Sequence, residues 1–123
     1  MLRIILADDH ADVRKGIIQI LSDEFGDVYI EEAENGRELT QKVRDEQWDI
    51  VISDLIMPGQ NGLEALKDIR ITVDSLPVII ISSSPADQYE EKVLEAGAIA
   101  YISKENLAID LIKTIHSIIK TVG

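Results

Sequence analysis

The stretch Ile50-Val51-Ile52-Ser53-Asp54-Leu55-Ile56-Met57-Pro58-Gly59 decides the fold. A short apolar run ends in one aspartate, and a Pro-Gly turn follows directly. Runs of this length between turn residues are typical of strands buried on both faces of a sheet. We therefore expect Asp54 at the carboxyl end of a buried strand, where open α/β sheets bind ligands. Aspartates at strand ends also serve in turns and helix caps, so the significance of Asp54 depends on its neighbours.

Similar apolar runs occur on both sides of this stretch and alternate with helical patterns. They predict strands at residues 2–7, 28–33, 78–82 and 98–102. Gly26-Asp27 ends the first helix, Asn35-Gly36 forms a turn before the second, and the fourth is predicted to begin at Ser84-Pro85 and to end at Gly97. Five strands alternating with five helices predict a doubly wound (βα)5 domain of the α/β class, with a parallel sheet covered on both faces. The second strand is the most polar, which suits a sheet edge.

Polar side chains follow the predicted strands at their carboxyl ends: Asp8 and Asp9 after the first, Asp54, Ser82 and Lys104 after the third, fourth and fifth. In the common strand order 2-1-3-4-5, strands one and three are neighbours, about 4.8 Å apart. The carboxylates would then form one cluster. Two carboxylates about 4 Å apart repel by about 4 kcal/mol at an effective dielectric near 20. Such a cluster predicts a hard divalent cation, and Mg²⁺ is the natural candidate.

Lys104 adds a mobile ammonium and Ser82 a short hydroxyl donor to this rim. A carboxylate nucleophile, a hard metal, an ammonium and a hydroxyl together indicate phosphoryl transfer onto Asp54 itself. Two other classes of protein compete with this hypothesis. A flavodoxin-like small-molecule binder is weakened because acids, and no Gly-rich phosphate loop, follow the first strand. A phosphatase using Asp54 as nucleophile is weakened by the shortness of the chain, which offers no obvious substrate pocket.

Composition limits the remaining possibilities. The chain has 123 residues, enough for one domain, and it has no cysteine for a disulfide or a thiolate metal site. Its net charge of −11 disfavours nucleic-acid binding by this domain and suits a cation or a basic partner surface. The amino terminus does not resemble a signal peptide, and no apolar run is long enough for a membrane span. We expect one cytoplasmic domain over residues 1–123 that does not bind membranes.

Over nearly its whole length the sequence resembles the receiver domain of bacterial two-component response regulators. The resemblance rests on motifs that occur in order at βα spacing: Asp8-Asp9, residues 54–59 with Gly62, Ser82 after residues 77–81, Gly97-Ala98-Ile99-Ala100-Tyr101, and Lys104. It implies a flavodoxin-like fold and a phosphorylation-dependent switch. A degenerate receiver that acts only as an interaction module is disfavoured, because every motif residue is present.

The resemblance implies a role for each residue. Asp54 is the implied phosphoacceptor, and Mg²⁺ would be held by Asp9, Asp54 and the Ile56 backbone carbonyl, with Asp8 acting largely through water. Lys104 would bind the phosphoryl group, and Ser82 with Tyr101 would form the switch pair. The implied phosphoryl donor is a sensor histidine kinase or a histidine phosphotransfer protein, and the domain would catalyse both its own phosphorylation and the later hydrolysis. Homodimerisation on phosphorylation stays open.

Some positions separate this chain from other receivers. Many have a proline after the lysine, whereas Glu105 follows Lys104 here, so a trans peptide bond is expected. Asp8-Asp9-His10 and residues 14–16 resemble the branch whose full-length members are transcriptional regulators with a helix-turn-helix domain. A stand-alone receiver is the alternative.

The bulk of Ile56 suggests slow loss of the phosphoryl group. His10 is expected to precede the first helix rather than to bind metal, and Trp48 to pack at the end of the sheet opposite Asp54.

Overall fold

The computed structural model describes the backbone of residues 1–83 and 86–122, and the side chains of these residues except 86, 87, 121 and 122. Five strands and five helices alternate within the described residues. The strands are β1 (Leu2–Ala7), β2 (Val28–Ala33), β3 (Ile50–Asp54), β4 (Val78–Ser82) and β5 (Ala100–Ser103). The helices are α1 (Ala11–Phe25), α2 (Gly36–Asp45), α3 (Gly62–Thr72), α4 (Ala86–Glu95) and α5 (Leu107–Val122), with a 3₁₀ turn at Lys104–Asn106 before α5.

The strands form one parallel sheet in the order β2-β1-β3-β4-β5, which confirms the predicted topology. The polar strand β2 lies at an edge, as expected. In the register of the central pair, Ala7 is the partner of Ser53. Asp8 follows Ala7 and Asp54 follows Ser53, so the two aspartates lie side by side at the carboxyl ends of β1 and β3. Topology and register therefore bring the acids together.

Hydrophobic residues fill both faces of the sheet, because parallel strands are covered by helices on both sides. Alternate residues of each strand point to opposite faces, so Ile5 and Ile4 belong to different layers of the core. On one face α2, α3 and α4 cover the sheet, with Leu39, Leu66, Ile69 and Val93 buried. On the other face α1 and α5 contribute Ile17, Leu21, Leu111, Ile115 and Ile118.

Strand β5 begins at Ala100, two residues later than predicted. The cause is the cap of α4. Gly97 has φ of 110°, a conformation that favours glycine, and the Ala98 amide donates to the Val93 carbonyl oxygen at 3.2 Å. Ala98 thus completes the end of the helix and does not start the strand. The predicted stop of α4 at Gly97 is confirmed. The predicted start of α4 at Ser84-Pro85 lies outside the described residues.

Two further expectations concern Trp48 and the peptide bond after Lys104. Trp48 is buried just before β3, at the end of the strand opposite Asp54, and its indole donates to the Lys42 carbonyl oxygen at 3.0 Å. The prediction for Trp48 is confirmed. The Lys104–Glu105 peptide bond is trans, also as expected. Within the described residues, none of the helices combines the length and the hydropathy that crossing a bilayer requires.

Candidate functional site

The site lies at the carboxyl rim of the sheet, where β1, β3, β4 and β5 end. Asp54 and Ser82 are the last residues of β3 and β4, while Asp8 and Lys104 directly follow β1 and β5. Asp8, Asp54 and Ser82 are all buried, with Asp54 only 4 % exposed. The sheet thus places carboxylates and a cation at one edge, where the sequence predicted that they would meet.

Lys104 is the cation that faces the acids. Its Nζ lies 3.2 Å from Asp54 Oδ2 and 3.6 Å from Asp8 Oδ2. The lysine side chain is largely buried, so these ion pairs are less screened by solvent than surface pairs. One ammonium therefore bridges the two buried carboxylates, one from each neighbouring strand.

The Asp54 carboxyl has a raised pKa. Burial is the main cause, because it disfavours the charged form, and the negative charge of Asp8 adds to it. Lys104 and the backbone amide of Ile56, which donates to the carboxylate, act in the opposite direction but only partly compensate. The Asp54 anion is consequently held in a place where added positive charge is favourable.

The backbone of Asp8 is fixed from two sides. Its amide donates to the Ala33 carbonyl oxygen at 3.0 Å, and its carbonyl oxygen accepts from Arg14 Nη1 at 2.5 Å. Arg14 is almost fully buried and also donates through Nε to Glu32 Oε1 at 2.8 Å. This arginine therefore ties the loop after β1 to the end of β2.

A structural role for Arg14 was missed at the sequence level. Arg14, Ile17 and Leu21 are spaced by three and four residues, and all three are buried. This spacing places the arginine on the inward face of α1, a signal that points to an internal partner. The pattern does not identify the partner, because Glu32 lies on β2, 18 residues further along the chain.

The loop after Asp54 turns back against the end of β3. The Gly62 amide donates to the Leu55 carbonyl oxygen at 2.8 Å. A Cβ at Gly62 would lie 2.3 Å from the Asp54 carbonyl oxygen, so glycine is required by this close approach. Within the same loop Ile56 is 58 % exposed, so an apolar side chain faces solvent two residues after Asp54.

Ser82 and Tyr101 lie on the neighbouring strands β4 and β5. In the register of this pair, Tyr101 is the partner of Ile80, two residues before Ser82. Tyr101 packs against the core, and its buried hydroxyl makes no hydrogen bond within the described part of the chain. The placement agrees with the expected positions, and the switch role of both residues stays a prediction.

The donor atoms of this rim fit a divalent cation. One candidate ligand atom from each of Asp8, Asp9, His10 and Asp54 lies within 4.8 Å of the others. Asp8 Oδ2 is buried without a hydrogen bond from the described residues, so a cation would satisfy a carboxylate oxygen that is otherwise costly to bury. Oxygen donors of this kind suit Mg²⁺. Ligation by the Ile56 carbonyl stays a prediction.

His10 was expected to precede the first helix, and it is the N-cap residue of α1. Its side chain does not cap the helix. Instead the ring lies over the acidic pair, with Nδ1 3.1 Å from Asp8 Oδ1 and 3.1 Å from Asp9 Oδ1. The helical pattern predicted the position of His10 but not the contact of its ring with the two carboxylates.

The chain is similar to known proteins along almost its whole length. The family model described as the response regulator receiver domain matches residues 4–116. Response regulator GacA of Pseudomonas viridiflava is 34 % identical over 104 residues, 85 % of this chain and 49 % of the relative. Response regulator UvrY of Escherichia coli K12 is 33 % identical over 118 residues, 96 % of this chain and 54 % of the relative. The chain thus spans about half the length of these curated relatives.

Solved structures agree with this assignment. A two-component response regulator of the LuxR family from Aurantimonas sp. SI85-9A1 has a TM-score of 0.89 at 31 % identity, covering 97 % of this chain and 85 % of that chain. A DNA-binding response regulator of the LuxR family from Staphylococcus aureus has a TM-score of 0.87 at 29 % identity, covering 96 % of this chain and 98 % of that chain. Family match, fold and the acidic rim lead to one conclusion: this chain belongs to the response regulator receiver domain family and is a receiver of two-component signalling.

Proposed function

We propose that Asp54 accepts a phosphoryl group from a phosphohistidine in a Mg²⁺-dependent reaction. The observation that carries the proposal is the position of Asp54. It ends a buried strand with Lys104 Nζ 3.2 Å from its carboxylate and further carboxylates within 4.8 Å. A carboxylate nucleophile beside a cation and a candidate metal site has the parts that phosphoryl transfer needs.

In the proposed reaction an Asp54 carboxylate oxygen attacks phosphorus in line with the histidine nitrogen. A P–O bond forms to Asp54, the P–N bond breaks, and the departing nitrogen keeps the electron pair and takes a proton from solvent. Lys104 then pairs with the negative charge of the transferred group. Asp8, Asp9 and Asp54 would hold Mg²⁺ with the Ile56 carbonyl, and when bound the ion supplies charge neutralisation between the carboxylate and the phosphoryl oxygens.

We assign the readout to Ser82 and Tyr101. Ser82 ends the strand next to Asp54, so its hydroxyl is suited to donate to a phosphoryl oxygen. Tyr101 follows on β5 with a buried hydroxyl that makes no hydrogen bond within the described residues. An unpaired buried hydroxyl is a costly state, so a modest change near Ser82 is enough to shift a two-state equilibrium at this tyrosine.

The family supports a proposal for the phosphoryl donor, since receiver domains of response regulators interact with histidine kinases. We propose a sensor histidine kinase or a histidine phosphotransfer protein as partner of this chain, and a cytoplasmic location for the reaction. We also propose that residues 1–123 form one receiver domain.

We further propose that the whole protein is a transcriptional regulator. The Staphylococcus aureus structure is described as a DNA-binding response regulator, and this chain spans about half the length of its curated relatives. These relatives favour a regulator with an output domain over a stand-alone receiver. The acidic net charge of −11 means that DNA contacts would belong to a part other than these residues.

One experiment tests the phosphotransfer proposal. The protein is incubated with acetyl phosphate and Mg²⁺, and the intact mass is measured. We expect an increment of one phosphoryl group that disappears in Asp54→Asn and when EDTA replaces Mg²⁺. Asp49→Asn is the matched control, because Asp49 is an exposed aspartate directly before the same strand. An increment that persists in Asp54→Asn, or no increment in the unaltered protein, would overturn the proposal.

A further inference from the structure

His10 adds a nitrogen atom to a site made otherwise of carboxylate oxygens. Its Nδ1 is 3.1 Å from Asp8 Oδ1 and from Asp9 Oδ1, and all three residues share the 4.8 Å donor cluster with Asp54. The backbone amide of His10 donates to Asp8 Oδ1 at 2.8 Å, which fixes the base of the side chain against the acid. The ring itself is 63 % exposed, so solvent ions reach it freely.

A second observation, independent of the histidine, points to a bound cation. The Asp8 side chain is completely buried, and its Oδ2 makes no hydrogen bond within the described residues. Lys104 Nζ is its ionic neighbour at 3.6 Å, beyond hydrogen-bond distance. Since buried carboxylate oxygens are normally hydrogen-bonded or coordinate metal, this oxygen lacks a partner that a cation between the acids would supply.

We propose that His10 Nδ1, in the tautomer that carries its proton on Nε2, is a metal ligand, so that this receiver binds Zn²⁺ or a similar transition-metal ion in the pocket of Asp8, Asp9 and Asp54. The ion would replace the Nδ1 proton that the ring otherwise donates to the carboxylates at 3.1 Å. The inference rests on the proposed function, because both concern the same pocket. Imidazole suits Zn²⁺, Cu²⁺ and Ni²⁺, whereas Mg²⁺ prefers oxygen and keeps several waters. The histidine therefore contributes to the affinity for Zn²⁺ and hardly at all to that for Mg²⁺.

The histidine affects which metal ion the pocket prefers, and the carboxylates alone account for the binding of a cation. With three carboxylates alone, affinity would follow charge and size. With one added nitrogen, Zn²⁺ gains a ligand that Mg²⁺ does not use, so the two ions separate in affinity. Zn²⁺ and Mg²⁺ would compete, because both use the oxygens of Asp9 and Asp54.

The decisive measurement is an NMR spectrum of the imidazole nitrogens during addition of ZnCl₂. The chain has only two histidines, which makes the assignment simple. We expect Zn²⁺ to shift the Nδ1 resonance of His10, and added MgCl₂ to reverse that shift by competition. His116 lies on α5, with Nε2 2.8 Å from Glu24 Oε2, so it provides an internal control for adventitious binding.

Calorimetric titration adds the affinities. We expect His10→Gln to lower Zn²⁺ affinity by about tenfold or more, because a direct ligand should contribute at least as much as the outer-shell groups whose loss costs about 10–100-fold. Mg²⁺ affinity should stay the same, and the matched variant His116→Gln should retain the Zn²⁺ affinity of the pocket. A Zn²⁺ affinity that is equal in His10→Gln and the unaltered protein, or a shift confined to His116, would overturn the inference.

The outcomes also separate this inference from the proposed function. If Asp54 takes up a phosphoryl group while His10 does not respond to Zn²⁺, the phosphotransfer proposal stands and the nitrogen ligand is refuted. If His10 responds to Zn²⁺ while no phosphoryl increment appears, the metal site stands and the phosphotransfer proposal fails. The NMR readout needs no variant, so it does not depend on how any substitution folds.

Discussion

Replacing Asp54 by asparagine is expected to stabilise the metal-free protein. The pKa of Asp54 is raised, mainly by burial and next by the charge of Asp8, so its anion opposes folding. Asparagine has nearly the same shape and removes the charge. The substitution that abolishes the proposed reaction should therefore increase the free energy of unfolding.

The magnitude follows from the distances in the site. Repulsion from Asp8 at 4.8 Å or less amounts to about 3.5 kcal/mol or more at an effective dielectric near 20. Attraction to Lys104 at 3.2 Å is about 5 kcal/mol on the same basis, so it exceeds this single repulsion. Two further effects also disfavour the Asp54 anion. They are repulsion from Asp9, which is more exposed than Asp8, and a desolvation cost of several kcal/mol. The balance predicts that Asp54→Asn is more stable by about 1–3 kcal/mol.

The pH dependence has a definite sign. A raised pKa means that the folded state binds more protons than the unfolded state between the ordinary Asp pKa and the raised one. Stability of the unaltered protein therefore falls as pH rises through this window, relative to Asp54→Asn. We expect the difference between the two proteins to be largest at pH 7 and to shrink as the solution is acidified.

Urea denaturation in EDTA and in Mg²⁺ measures these effects. Mg²⁺ at about 100 times its dissociation constant adds about 2.7 kcal/mol to a protein that binds it, so it should stabilise the unaltered protein more than Asp54→Asn. Asp68→Asn is the control, because Asp68 forms a surface ion pair with Arg44 at 3.0 Å, worth at most about 1 kcal/mol. An Asp54→Asn variant less stable than the unaltered protein in EDTA at pH 7 would refute the electrostatic argument.

Four further substitutions or measurements test other parts of the structure. Arg14→Ala should lower the free energy of unfolding by about 2–4 kcal/mol in urea titrations and weaken Mg²⁺ binding, because Glu32 and the Asp8 carbonyl oxygen lose a buried partner; unchanged Mg²⁺ affinity would contradict a positioning role. Gly62→Ala should cost about 1–3 kcal/mol in the same titration, because its Cβ would meet the Asp54 carbonyl oxygen. Ile56→Asn should shorten the lifetime of the aspartyl phosphate after the donor is removed, and an equal or longer lifetime would count against the bulk argument. Trp48 fluorescence should change little on Mg²⁺ addition, since the indole lies at the other end of β3, and strong quenching would show that the two ends are coupled.

The sheet and its rim were predictable because each rests on a short-range pattern. The apolar run ending at Asp54 indicates a strand buried on both faces, and βα alternation then fixes parallel strands. Parallel strands all end at the same edge, so Asp54 and Lys104 are brought together although they lie 50 residues apart. Periodicity and topology are sufficient for this part of the site.

The parts that were missed depend on contacts that no periodic pattern in the sequence specifies. Arg14 bonds to Glu32, which lies 18 residues away, and no local pattern specifies that pair. The start of β5 was misplaced because Ala98 fits a strand by composition but completes the cap of α4 through its bond to Val93. The contact of the His10 ring with the carboxylates of Asp8 and Asp9 is likewise absent from any periodic pattern.

The register of β1 against β3 determines both the stability cost and the binding capacity of the pocket. Because Ala7 opposes Ser53, the acids that follow leave adjacent strands together. Asp8, Asp9 and Asp54 carry three negative charges against one positive charge of Lys104, so two negative charges remain in excess. A divalent cation would neutralise that excess, and a phosphoryl group could approach without net repulsion only afterwards. Dependence of phosphorylation on metal, and greater stability after the loss of Asp54, are thus two consequences of one strand register.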